Sequence, residues 1–164
     1  MKFEKPFLAI ESNIDNEAFQ SAIVNLFQIY NGRSFVIILN SPGGEVPRMY
    51  SILDAIDSVP NSNVSAYLPK NASCASACAD VFLYIGSRFC ETGSKIGLHS
   101  VIRQGKPSKE ATKEMILQLL SRPGSQVPEK WLAYQYNQGV FNTTKMTYYS
   151  CSELIQAGIA SNAD

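Results

Sequence analysis

SFVIILNSPGG, Ser34 to Gly44, opens with a continuous β-branched and aromatic run, Ser34 to Leu39, and ends in a turn holding a proline and two adjacent glycines. A run of this kind without polar alternation suits a strand buried on both faces of a parallel sheet, so a central strand is expected there. In the turn Asn40 to Gly44, paired glycines can take positive φ and bring bare backbone N–H groups to a ligand. Ligands of open α/β sheets gather at such strand ends. A simple turn is the competing reading.

Working outward, strand and helix patterns alternate on both sides. Phe7 to Ile10 is a short apolar strand, and Asp15 to Tyr30 places Phe19, Ile23, Leu26 and Tyr30 at helical spacing before Asn31-Gly32 stops it. After the turn, Val46 to Ser58 reads as a helix ended by Pro60 and Asn61, Val64 to Leu68 as a strand, and Ala75 to Ile85 as a helix apolar almost all round, hence buried. Arg88 to Cys90 and Lys95 to Val101 are short strand candidates. The alternation predicts an α/β fold with parallel strands joined by crossover helices. From Ser108 the texture becomes helical, with Lys109 to Arg122 and Pro128 to Tyr136 forming an appendage, and Ser150 to Gly158 reads as a last short helix capped by Ser150 or Ser152.

The 164 residues are expected to form one domain, 1–164, large enough for a core without metals or disulfides. Lys+Arg and Asp+Glu balance at 14 each, with no basic run, so nucleic acid is not expected as a partner. No apolar stretch reaches the roughly 18 to 20 residues that span a bilayer, so no membrane association is expected. The start, MKFEKPFLAIESNID, carries acids where a signal peptide has its apolar core. A cytoplasmic location is therefore favoured, with a periplasmic one if the chain is truncated. Cys74, Cys78, Cys90 and Cys151 lack zinc-site spacing, so no metal or cofactor is expected. Core packing is preferred to a disulfide for Cys74 and Cys78.

The candidate chemistry centres on NASCASACADVFLYIG, Asn71 to Gly86. If Ser76 opens the buried helix, the Ala77 N–H sits at the helix's positive end, where a developing oxyanion is stabilised, and Gly44 can supply a second donor. A serine nucleophile needs a base, and His99, the chain's only histidine, follows the strand-like KIGL at what should be the same sheet edge. The bland alternatives are a small residue packed at a helix start and a histidine without a catalytic task; spacing alone does not join the two. Asp80, Glu91 and Glu153 are remote candidates to orient His99 and read first as solvated charges; Lys70 and Lys95, weighed as alternative bases for the serine, read as surface lysines.

In order and rough spacing, SPGG after a buried strand, Ala75-Ser76-Ala77-Cys78-Ala79 opening an apolar helix, G-x-H at the end of the next strand, a helical insertion and a final S-x-x-E-L-x-x-x-G-I resemble the Clp protease proteolytic subunit and its serine-peptidase relatives. The resemblance runs from about Phe7 to Ile159. It implies the crotonase-like ββα superhelix with a parallel sheet and a helical handle insertion over about 108–138. It also implies a serine endopeptidase, with Ser76 as nucleophile, His99 as general base, and Gly44 and Ala77 as oxyanion donors. Peptide or unfolded-protein substrates, homo-oligomeric rings and delivery by an ATP-driven unfoldase belong to the same implication, although this chain begins almost at its first strand without an N-terminal gating segment. The departure is the triad aspartate: counting back from Gly158 puts Met146 at or beside its position, and no acid stands between Glu129 and Glu153. Asn142 or a backbone carbonyl is left to orient His99, or Ser76 and His99 act as a dyad, or the chain is an inactive structural or binding subunit. Crotonase-type chemistry on an acyl-CoA thioester ranks last, because it needs no serine nucleophile.

Overall fold

The computed structural model describes residues 6–14, 18–29, 33–60 and 63–164. The expected helix start at Asp15 and the stops at Asn31-Gly32 and Asn61 lie outside these residues. The chain is an α/β protein with a mostly parallel central sheet. Five strands, β1 (Phe7–Ile10), β2 (Phe35–Leu39), β3 (Val64–Leu68), β5 (Ser87–Cys90) and β10 (Ser161–Asn162), lie in that spatial order, and every pairing is parallel. A second sheet, β4 (Ser73–Ala75), β6 (Lys95–Leu98) and β9 (Thr147–Ser150), pairs β4 with β6 in parallel and β6 with β9 antiparallel. A two-stranded hairpin, β7 (Ile102–Arg103) and β8 (Lys106–Pro107), follows β6.

The SFVIIL run behaves as its composition predicts: all five residues of β2 are buried. Successive strand residues face opposite sides of a sheet. Phe35, Ile37 and Leu39 accordingly enter the main core, while Val36 and Ile38 join Tyr67 in a smaller cluster. The main core is completed by helices α1 (Ala18–Ile29), α2 (Val46–Asp57) and α3 (Ala77–Tyr84), through Ile23, Met49, Leu53, Ile56 and every residue of α3 except Asp80.

The helices expected as an appendage are α4 (Lys109–Ser121) and α5 (Glu129–Asn137), and one face of each belongs to the same core, through Met115, Leu119 and Leu132. Arg122, just past α4, pairs with Asp54 of α2 at 2.5 Å. The last helix, α6 (Cys151–Gln156), is started by Ser150, whose hydroxyl accepts from Glu153 N–H while the Glu153 carboxylate accepts from Ser150 N–H. This reciprocal cap satisfies two otherwise orphaned donors.

Half-buried Arg88 ties three segments together: its Nη1 lies 3.0, 2.6 and 3.1 Å from the carbonyl oxygens of Leu83, Ile85 and Gln126, and its Nε donates to Ile159 at 2.6 Å.

The cysteines overturn the packing expectation. Cys74 and Cys78 form a disulfide that brackets Ser76, and Cys90 and Cys151 form a second that joins the end of β5 to the start of α6. The i, i+4 pair meets because β4 hands directly into α3. The second pair meets through β5 and α6, elements 61 residues apart that composition gave no reason to join. No cysteine is free.

Candidate active site

The helix expected from Ala75 begins at Ala77, because Ala75 still pairs with Gly97 in the second sheet and Ser76 interrupts the backbone. Ser76 takes φ 57° and ψ −125°, a conformation that an L-residue with a side chain rarely adopts. Its N–H donates to Gly97 at 2.8 Å, and its carbonyl accepts from Asp80 N–H at 3.2 Å, the first turn of α3. Strained backbone of this kind persists only where the surroundings over-determine it, and it clusters at functional sites. Here the surroundings are β4 on one side, α3 on the other, and the Cys74–Cys78 bridge across both.

Against this turn lies the end of the opening motif. Gly43 has φ 102°, and a Cβ there would come within 2.7 Å of the Ala75 carbonyl oxygen, 2.8 Å of Ser76 Cβ and 3.0 Å of Ala77 N. The SPGG turn therefore docks on the Ser76 turn only because it has no side chain at Gly43. Within the motif, Gly43 N–H is held by Ser41 Oγ at 3.1 Å, the Ser41 carbonyl accepts from Ala75 N–H at 3.0 Å and the Gly43 carbonyl from Ile14 N–H at 2.8 Å. The N–H groups of Gly44 and Ala77 are different: neither donates to an acceptor among the described residues. We expect Gly43→Ala to lose about 1–3 kcal/mol of stability in urea titration, the usual range for one such backbone strain, and to lose any Ser76-dependent labelling or turnover with it.

His99 follows β6 directly. The expected strand stops at Leu98 rather than Val101 because the next backbone groups turn elsewhere: Ser100 N–H donates to Thr143 at 3.0 Å and Val101 N–H to Thr112 Oγ1 at 2.8 Å. The glycine of G-x-H has its own reason, since a Cβ on Gly97 would meet Met146 Cγ at 2.7 Å and Sδ at 2.8 Å. The β6–β9 register pairs Leu98 with Thr147 and, continued by one residue, sets Met146 opposite His99. His99 Nδ1 is buried with no hydrogen-bond partner, and burial lowers the pKa of the ring. Asn142 does not fill the gap: it is exposed in a 3-10 turn (Val140–Asn142), its Nδ2 3.6 Å from where a Gly139 Cβ would stand.

Gly44, Ser76, Ala77 and His99 line one cavity of about 540 Å³, although no hydrogen bond links Ser76 Oγ to His99. The acids read as solvated divide. Glu153 caps α6, and Glu91 accepts from Tyr67 Oη and from Lys70 N–H. Asp80 is a correction: it is 4 % exposed, lies on the inner side of α3 and lines the same cavity. Lys70 is exposed, and Lys95 is exposed with its ammonium over the Tyr148 ring at 4.2 Å. Among the described residues no cluster of His, Cys, Asp and Glu could hold a metal ion, and no helix is long and apolar enough to cross a membrane. No family model and no curated protein matches the sequence.

Proposed function

We propose that the chain is a serine endopeptidase of the Clp type on a crotonase-like fold, cleaving peptides through an acyl-enzyme on Ser76. One observation carries the reading: a serine in strained backbone at the mouth of a buried helix shares a cavity with the only histidine and with two undirected N–H groups, those of Gly44 and Ala77. In this mechanism Ser76 Oγ attacks the scissile carbonyl carbon while His99 takes its proton through Nε2, the nitrogen that is not walled in. The oxyanion accepts from Gly44 and Ala77 N–H; the leaving amine then takes the proton from His99, and water releases the acid by the reverse sequence. His99 works here without a carboxylate to hold its tautomer.

A second reading, a degenerate member acting as a structural or binding subunit, is favoured by the unpartnered Nδ1 of His99 and the Met146 thioether opposite it. Self-association belongs to both readings and is supported by Leu117 and Tyr134, exposed at 62 % and 61 % on α4 and α5. The two disulfides support an oxidising compartment over the cytoplasmic one favoured from the sequence start.

A fluorophosphonate probe read by intact mass separates the readings. One adduct on the wild type, absent from Ser76→Ala, is expected. An unlabelled wild type with its circular dichroism intact, or equal labelling of Ser76→Ala, would overturn the peptidase reading in favour of the second.

A further inference from the structure

Asp80 lies in the first turn of α3, where its N–H donates to the Ser76 carbonyl at 3.2 Å, and it lines the same cavity as Ser76. The residue is 4 % exposed, so the cavity is the side from which a ligand could meet it. Its carboxyl group has no hydrogen-bond or ion-pair partner among the described residues. Burial pushes its pKa up to about 7. The one guanidinium lining the cavity, Arg103, is exposed and lies 3.4 Å from its neighbour's carbonyl oxygen at Ile102. Nor does Asp80 serve the histidine, whose Nδ1 remains without a partner.

A buried carboxyl without a partner is expensive, and the cost is relieved when a ligand brings a cation to it. Part of the cavity lining is apolar, through Val46, Leu98, Val101 and Met115, beside the charged Glu45 and Arg103. Such walls suit the methylene stem of a long basic side chain whose charged head travels beyond them. We propose that Asp80 is the floor of the primary specificity pocket and selects lysine or arginine at the substrate residue whose carbonyl Ser76 attacks. The inference rests on the peptidase reading of Ser76 and adds to it the substrate class.

The test compares two peptidyl diphenyl phosphonates that differ only in the side chain presented to the pocket, lysine in one and norleucine in the other. In each, Ser76 Oγ would attack phosphorus and phenol would leave, so that phosphonylation of the serine reads pocket selectivity even where turnover is slow. The wild type should react with the lysyl compound about tenfold or more faster, the span expected of a hydrogen bond to a charged group. In Asp80→Asn that ratio should fall to about one, with fluorophosphonate labelling of Ser76 showing that the variant is folded. A wild type that reacts faster with norleucine, an Asp80→Asn protein that keeps the lysine preference, or labelling by fluorophosphonate with neither phosphonate reacting would overturn the inference and leave the peptidase reading standing. No adduct from any of the three reagents would overturn both.

Discussion

At pH 8 the Asp80→Asn protein should be more stable than the wild type by about 4 kcal/mol, at about 1.36 kcal/mol per pKa unit. The cause is burial, which raises the Asp80 pKa from 3.8 to about 7 in the folded state. A carboxyl with a raised folded pKa is harmless below its unfolded pKa, where both states are protonated. Its protonated form is favoured only in the folded chain, so stability falls as pH rises from about 3.8 and levels off above about 7, lower by about 4 kcal/mol. The asparagine carries no such dependence. The gap between the two proteins should therefore close toward pH 4 and be flat above pH 7, as measured by urea midpoints across that range. Of the charged or titratable groups near Asp80, Tyr50 is raised by burial and His99 lowered by it, while Glu45 and Arg103 line the same cavity. Tyr50, which Asp80 itself helps to raise, titrates above this pH range, and the other three are present in both proteins. A constant gap, or a less stable asparagine variant at pH 8, would mean that the folded protein already supplies Asp80 with a cation. The same residue would then be a poor candidate for binding one from a substrate. A wild type that retains a costly group against its own stability is the usual signature of a site kept for function.

Replacing both Cys90 and Cys151 by alanine should cost about 4 kcal/mol, the loop-entropy value for a closed loop of some 61 residues. The loss should be concentrated at one seam. β10 pairs with β5 through Ser161–Phe89 and Asn162–Cys90, Ala163 N–H donates to Cys90 at 2.9 Å, and the Asp164 carboxylate accepts from Thr92 N–H at 3.0 Å and from its hydroxyl. With the bridge gone, amide exchange at Asn162 and Ala163 should speed up before exchange at Ile37 or Ala66 in the sheet centre. Uniform acceleration across the sheet would show that the bridge acts on the whole unfolded chain without a local component.

Much of the fold was legible because strong local signals agreed with the global arrangement. The apolar run of β2 could be nothing but buried, and the start of α6 was placed at Ser150 or Ser152, of which the structure selects Ser150. β4 and β9 were missed for a physical reason: three and four residues are too short to establish a period of two, and their pairing comes entirely from β6. The Cys90–Cys151 bridge was equally invisible, since it depends on tertiary placement of β5 against α6. Asp80 is a different kind of miss. Its signal was present, because a helix apolar all round has no solvent face on which a charge could be solvated. Reading Ala77–Tyr84 as buried already required its one acid to be buried.

Arg88 has an effect at a distance from the carbonyls it binds. α3 is eight residues long, so its two ends are only about 12 Å apart. In so short a helix the negative pole at the carbonyl end partly cancels the positive potential that the other end offers to an anion. Arg88 places a full positive charge on the Leu83 and Ile85 carbonyls, at that negative pole. The Ala77 end then faces the cavity as the pole of a longer helix would. A residue 12 positions away in sequence from Ser76, touching nothing in the cavity, thereby adds to the field felt by any negative charge that forms there.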